Sequence, residues 1–290
     1  MTHLASLLAP LILLAACGQP DDDQVIVERE IVVEQPAPQQ TVETPPAVVE
    51  VQQQADIVDP PAPVPSAPAI ALNYLIGDVN PANDPTFARI PEKYLGGSRV
   101  WGHAEAVAAL TRMGDAAAAD GVQLKAVSAF RSFSDQKRIW DNKWNGTTRV
   151  EGRRLPDTHP DPKARALKIL EQSSMPATSR HHWGTDFDLN DLNNSYFASG
   201  EGKRVYDWLQ TNAGAFGFCQ TYTAKGADRP NGYNEEKWHW SYMPVAGPYL
   251  AAYPHVVGYD HIRGFEGAAT ARDIDVIANY VLGINPACRG

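Results

Sequence analysis

Ser179-Arg180-His181-His182-Trp183-Gly184-Thr185-Asp186-Phe187-Asp188-Leu189-Asn190 sets two histidines, two aspartates and a glycine within twelve positions. Imidazole and carboxylate are the ligand types of zinc, and a catalytic zinc site keeps three protein ligands and one open position. His181 and Asp188 lie an odd number of residues apart, so one continuous strand would face them in opposite directions. Co-ligation therefore needs a turn between them, and Gly184 is placed to make it. His182 and Asp186 form the rival pair, and spacing alone leaves both open.

Two further clusters flank this one. About fifty residues downstream stands Glu235-Glu236-Lys237-Trp238-His239-Trp240-Ser241-Tyr242. It offers a third histidine, His239, with Glu236 three residues before it. Zinc hydrolysis uses such a set, because the metal acidifies a water and a carboxylate that is not a ligand takes the proton. Upstream stands Ser128-Ala129-Phe130-Arg131-Ser132-Phe133-Ser134-Asp135-Gln136. A guanidinium at a strand end, with the Gln136 amide five residues on, can grip a carboxylate in bidentate fashion.

The rest of the globular part is read from periodicity and caps. An Ala-rich helix over 104–119 carries Val107, Leu110 and Met113 on one stripe, with Gly121 closing it. A strand follows over 122–130. Ser134 is expected to cap a helix running to Trp144, and Pro162 to open another running to Gln172. Strands are expected at 185–189 and 238–243, and helices at 202–216 and 268–282. The mixture lacks a regular βαβ rhythm, which favours an α+β fold.

Together the three clusters resemble the VanY-type D-alanyl-D-alanine carboxypeptidases, zinc peptidases of the Hedgehog/DD-peptidase fold. That family shows Ser-Gly-Tyr-Arg-Ser and then Gln, Ser-x-His-x-x-Gly-x-x-x-Asp, and Glu-x-Trp-His, in this order. Ala129-Phe130 replace Gly-Tyr, while Arg131 and Gln136 keep their places. The second motif registers on Ser179, His181, Gly184 and Asp188, and the third on Glu236, Trp238 and His239. The similarity reaches back to Tyr74-Leu75-Ile76-Gly77 and covers roughly residues 72–245. Ser241 departs from it, since several relatives carry Arg there.

The resemblance implies a small antiparallel sheet flanked by helices, and one zinc ion per chain held by His181, Asp188 and His239. Glu236 would be the base toward water and then the acid toward the leaving amine. Arg131 would bind the substrate carboxylate or stabilise the oxyanion, and Gln136 and Ser179 would line the substrate site. The substrate would be a peptidoglycan stem peptide, cut at its C-terminal D-amino acid in the D,D manner. An L,D-carboxypeptidase or a cross-link endopeptidase would use the same catalytic set. A wall-binding lipoprotein without catalysis would have lost a ligand or the base, and none is lost.

Outside the motifs, charge is unevenly placed. Residues 18–70 hold ten acids against one base, which equals the net charge of −9 of the whole 290-residue chain. A neutral globular part with an acidic tail offers no basic footprint for nucleic acid. The stretch 18–70 also has ten prolines and almost no aromatic residue, so it reads as a disordered Pro/Glu/Gln-rich linker. Residues 1–17 carry no Asp, Glu, Lys or Arg and end Leu14-Ala15-Ala16-Cys17 after a short apolar run. They read as a lipoprotein signal peptide with Cys17 as the acylated residue. Gly18, rather than an aspartate, after that cysteine favours an outer-membrane lipoprotein facing the periplasm. The peptidase domain is then 71–290, a monomer, with a C-terminal helical extension over about 245–290. Export places Cys219 and Cys288 in an oxidising compartment, where they are expected to pair.

Overall fold

A computed structural model describes residues 69–289. The expected signal peptide with Cys17, and all but the last two residues of the expected linker, lie outside the described residues.

Two antiparallel sheets form the frame. The smaller joins β1 (Phe87–Arg89) to β2 (Trp101–His103). The larger has the order β3 (Ala126–Ser128), β4 (Asp186–Leu189), β6 (His239–Tyr242), β5 (Phe218–Gln220), with every neighbouring pair antiparallel. Alternation divides the large sheet by chemistry. Phe187, Leu189, Trp240 and Phe218 enter one hydrophobic cluster with α2 (Ala104–Ala119) and α6 (Gly200–Asn212). The alternate residues of β4 and β6 are Asp186, Asp188, His239 and Ser241, so the other face is polar. Val107, Leu110 and Met113 of α2 are buried in that first cluster. Each such side chain stabilises by about 1.5–3 kcal/mol, and an aspartate at position 110 would break it.

A second cluster gathers α1 (Leu72–Ile76), α3 (Phe133–Trp144), α4 (Leu155–Thr158), α5 (Pro162–Ile169), α7 (Met243–Val256) and α8 (Thr270–Ile274). The fold is thus α+β, with a small antiparallel sheet flanked by helices. Residues beyond 245 are built into that second cluster. The Tyr253 hydroxyl donates to the Ala177 carbonyl at 2.8 Å, and Trp140 Nε1 donates to the Glu266 carbonyl at 2.8 Å. Cys219 and Cys288 form a disulfide, which ties β5 to the last described turn.

Several local expectations are corrected. Ser132, not Ser134, caps α3, its Oγ accepting from the Asp135 N–H at 3.1 Å. The strand expected over 122–130 is only Ala126–Ser128. Before it, the Asn190 side chain takes the place of a neighbouring strand, accepting from Lys125 N–H and donating to the Gln123 carbonyl. After it, Phe130 N–H turns to the Trp101 carbonyl of β2. The helix expected over 268–282 breaks at Asp275, which is left-handed at φ 50°, and resumes as a wider-wound segment over Ile277–Val281. Asn279 Nδ2 caps the Ile274 carbonyl left over at the break. Helix α7 falls within the expected helical extension, although Pro248 and Pro254 lie inside it. Burial of Val245, Tyr249, Leu250 and Tyr253 outweighs the hydrogen bonds those prolines remove.

Candidate active site

The polar face of the large sheet is set by register. Asp188 pairs with His239 and Asp186 with Ser241 across β4 and β6. Cross-strand partners on one face approach closely, so an aspartate and a histidine meet without help from any loop. Glu236 joins them through the tight turn before β6, in which His239 N–H bonds to the Glu236 carbonyl at 3.3 Å.

His181 arrives from a short helical turn over Arg180–Trp183 that ends at Gly184. Gly184 has φ +70°, and a Cβ there would lie 2.7 Å from the His103 backbone nitrogen and 2.8 Å from the Phe87 ring. Its carbonyl accepts from His103 N–H at 2.7 Å. Only glycine fits both the backbone conformation and the gap, so the turn is pinned against β2 and His181 is carried to the Asp188 side.

His181, Asp188 and His239 offer ligand atoms that all lie within 4.8 Å of one another. Each imidazole has one nitrogen committed elsewhere. His181 Nδ1 donates to the Ala129 carbonyl at 2.9 Å, which leaves Nε2 3.4 Å from Asp188 Oδ2. His239 Nε2 donates to Asp186 Oδ1 at 3.0 Å, which leaves Nδ1 3.1 Å from Asp188 Oδ1 and 3.4 Å from Glu236 Oε2. Outer partners of this kind orient metal-binding histidines. Asp188 Oδ1 is buried without a hydrogen bond of good geometry. Two imidazole nitrogens and a carboxylate with a free acceptor are a donor set that fits zinc.

The electrostatics follow from burial among charges. Burial pushes the His181 imidazole down to about 4, with Arg131 adding to it. Burial also opposes charge on His239, but hydrogen bonds to Asp186 and Asp188 outweigh it and lift its pKa to about 9. Asp188 stays well below the usual carboxylate range despite burial, because both histidines favour its charge. Glu236 is pushed up to about 8 by burial, with the Asp188 charge adding and His239 and Arg131 opposing.

Arg131 reaches the same place from the end of β3. Its Nη2 donates to Asp188 Oδ2 at 3.0 Å and to Ser128 Oγ at 3.0 Å, and Nη1 donates to Gln136 Oε1 at 3.2 Å. Arg131, His181, Asp188, Glu236 and His239 line one cleft of about 380 Å³. Gln136 and Ser179 are fully buried and are not part of that lining. Gln136 reaches the site through Arg131, and its amide also donates to the Ser174 carbonyl at 2.8 Å.

Asp186 and His182, the rival pair, lie outside the ligand group. Asp186 is buried beneath His239 and held below the usual carboxylate range, burial notwithstanding, by Arg180 and then His239. Arg180 Nε donates to Asp186 Oδ1 at 3.0 Å and its Nη2 to Ser241 Oγ at 2.7 Å. Sequence reading missed Arg180. The departure at Ser241 was its signal, since a guanidinium absent at 241 is supplied here from the turn.

A family model described as VanY: D-alanyl-D-alanine carboxypeptidase matches residues 100–245. YodJ of Bacillus subtilis (strain 168), which carries a carboxypeptidase name, is 32% identical over 145 residues, covering 48% of this chain and 45% of its own length. A D-alanyl-D-alanine carboxypeptidase of Enterococcus faecalis (strain ATCC 700802 / V583) is 31% identical over 134 residues, covering 45% and 44%. The chain spans less than half the length of either relative. Among solved structures, the LdcB LD-carboxypeptidase is similar at 24% identity and TM-score 0.43, over 70% of this chain and 79% of that one. A vancomycin-resistance D,D-pentapeptidase VanY mutant in complex with Zn(II) is similar at 23% identity and TM-score 0.40, over 60% and 94%.

Proposed function

The chain belongs to the VanY family of D-alanyl-D-alanine carboxypeptidases, and on that premise we propose that it is a zinc-dependent carboxypeptidase acting on peptidoglycan stem peptides. The observation that carries the reading is the convergence of His181, Asp188 and His239 with the Glu236 carboxylate 3.4 Å from His239 in one cleft. His181 Nε2, His239 Nδ1 and an Asp188 oxygen would hold the zinc, which when bound polarises a carbonyl and acidifies water.

The chain's own groups then do the proton work. Glu236 accepts a proton from the attacking water as the C–O bond forms, and passes it to the amide nitrogen as the C–N bond breaks. The products are a shortened peptide with a new carboxylate and a free D-amino acid. A base must be ionised before it acts, and a cation beside Glu236 favours its charged form over the pKa of about 8 that burial imposes. Arg131, fixed beside Asp188 by Ser128 and Gln136, is placed to stabilise negative charge on the carbonyl oxygen.

The finer reading is D,D-specificity; the rivals are L,D-carboxypeptidase and cross-link endopeptidase activity. Digestion of defined muropeptides followed by mass spectrometry separates them. Loss of one D-alanine from a pentapeptide is expected, whereas trimming only of tetrapeptides, or cutting only of cross-linked dimers, would replace it. Glu236→Gln should keep stoichiometric zinc yet lose about 100- to 10,000-fold in turnover, as removal of a general base does. Near-normal turnover in that variant would remove Glu236 from the mechanism.

For location, we propose lipid anchoring through Cys17 to the outer membrane, facing the periplasm. No helix among the described residues is long and apolar enough to cross a membrane. Cys17→Ser should move the protein from the outer-membrane fraction to the soluble periplasmic fraction with peptidase activity intact. Wild-type protein already found soluble would end this proposal.

A further inference from the structure

Four cations line the cleft: Arg99, Arg131, Lys143 and Arg180. Three already face a carboxylate. Arg99 pairs with Asp135 at 2.5 Å, Arg131 with Asp188 at 3.0 Å and Arg180 with Asp186 at 3.0 Å. Lys143 does not. Among the described residues its ammonium has no carboxylate within ion-pair distance, and it donates only to the neutral Ser173 Oγ at 2.5 Å. The last turn of α3 is a favourable place for any lysine, but that does not explain why this one turns its ammonium into the cleft rather than into solvent. Burial lowers its pKa and the nearby Arg131 charge lowers it further, while the Glu236 carboxylate opposes both from beyond ion-pair distance. A partly buried cation with no carboxylate paired to it is a costly arrangement, and a ligand anion would offset that cost.

Arg131 is held against Asp188, one of the candidate metal ligands, by its bonds to Ser128, Gln136 and Asp188, which assigns it to the reacting carbonyl rather than to the chain end. A carboxypeptidase substrate brings one obligatory anion, the carboxylate of its last residue. We propose that Lys143, with the Ser173 hydroxyl beside it, forms the subsite that receives the C-terminal carboxylate of the substrate. This rests on the carboxypeptidase reading and divides the labour within it: Arg131 serves the reacting carbonyl, and Lys143 serves the chain end.

The test separates carboxylate binding from turnover. Binding of N-acetyl-D-alanine and of its C-terminal amide is measured by NMR titration on the wild-type, Lys143→Met and Lys143→Arg proteins. Methionine keeps the apolar stem and removes the charge. The wild type should prefer the acid over the amide by about 10- to 100-fold, the range of a charge-assisted hydrogen bond. Lys143→Met should abolish that preference while leaving the amide's affinity unchanged, and Lys143→Arg should retain it. Should the methionine variant fail to fold, Lys143→Gln takes its place. No acid preference in the wild type, or a preference that survives in Lys143→Met, would overturn the subsite. Turnover of a peptide ending in D-alanyl-D-alanine is read separately. Its absence alongside a Lys143-dependent acid preference would sink the carboxypeptidase reading and leave the subsite standing.

Discussion

Two neighbouring histidines have opposite fates here. His182 is buried, its Nδ1 donating to the Arg131 carbonyl at 2.7 Å while its Nε2 accepts from Ala177 N–H at 3.2 Å. Both nitrogens are therefore spent in the neutral ring, and none remains for a metal. Gly77 closes over it, since a Cβ there would lie 2.3 Å from His182 Nδ1. Burial pushes its pKa down to about 3 from an ordinary 6.5. The unfolded chain takes up a proton below pH 6.5 that the folded ring refuses. The stability His182 contributes is thus full above about pH 6.5 and is lost as pH falls toward about 3, by up to a few kcal/mol. We predict that His182→Ala keeps stoichiometric zinc, is less stable at pH 7 and loses less on moving to pH 4.5, as read by urea unfolding at both values. A folded His182→Ala protein without zinc, or one with an unchanged pH slope, would refute this. His181→Ala should lose the metal. The twelve-residue cluster was legible as a metal site, but spacing alone could not choose between the histidines. The choice depends on the Arg131 carbonyl and on Gly77, both far away in sequence.

Strands of four residues each carry most of the site, so their register matters more than their length. The β4–β6 pairing places Asp186 opposite Ser241, one step from the pair Asp188 and His239. Arg180 clasps that pair, donating to both Asp186 and Ser241 beneath His239. Removing its charge leaves Asp186 buried and short of a partner, which typically costs 3–5 kcal/mol. Loss of an outer-shell partner of a metal ligand usually weakens metal affinity about 10- to 100-fold. Arg180→Met is therefore predicted to bind zinc more weakly by that factor, measured against a competing chelator. Returning a guanidinium from the other strand, in Arg180→Ser with Ser241→Arg, should recover part of the loss relative to Arg180→Ser alone. Undiminished zinc affinity in a folded Arg180→Met protein would show that Asp186 needs no cation. The sequence marked Ser241 as unusual but could not name its partner, because the two meet only once β4 and β6 are aligned. Helix α7 was legible only as part of a broad helical extension, without bounds of its own, because its prolines argue against a helix locally and tertiary burial overrides them.

At the scale of the molecule, the α+β class was legible because helical and strand patterns mix without a βαβ rhythm, and the small antiparallel sheet was implied by the family resemblance. The part played by residues beyond 245 was not, because it is a packing relation between distant segments. Tyr253, Ile262, Phe265 and Ile274 complete the cluster that α3 and α5 begin, behind the loop that carries Met175 and Ala177. The Cys219–Cys288 bridge closes a separation of 69 residues across this region. Asn285 Nδ2 also donates to the Gln220 carbonyl at 3.0 Å, so the chain end is held to β5 beside the bridge as well. A loop of that length stabilises by about 4 kcal/mol in the chain-entropy model. For a domain of roughly 200 residues, each kcal/mol moves Tm by about 2–4 °C. We therefore predict that replacing both cysteines with alanine lowers Tm by about 10 °C. Cys219 faces Ser241 across β5 and β6, but neither cysteine bonds to a metal ligand, so zinc content at 25 °C should be unchanged. Limited proteolysis should then cut first after residue 256, where the bridge adds to the packing of Ile262, Phe265 and Ile274. A Tm within a degree or two of wild type would mean that packing of the second cluster alone holds the C-terminal segment. Loss of zinc with the fold intact would mean that the segment supports β6, and through it His239.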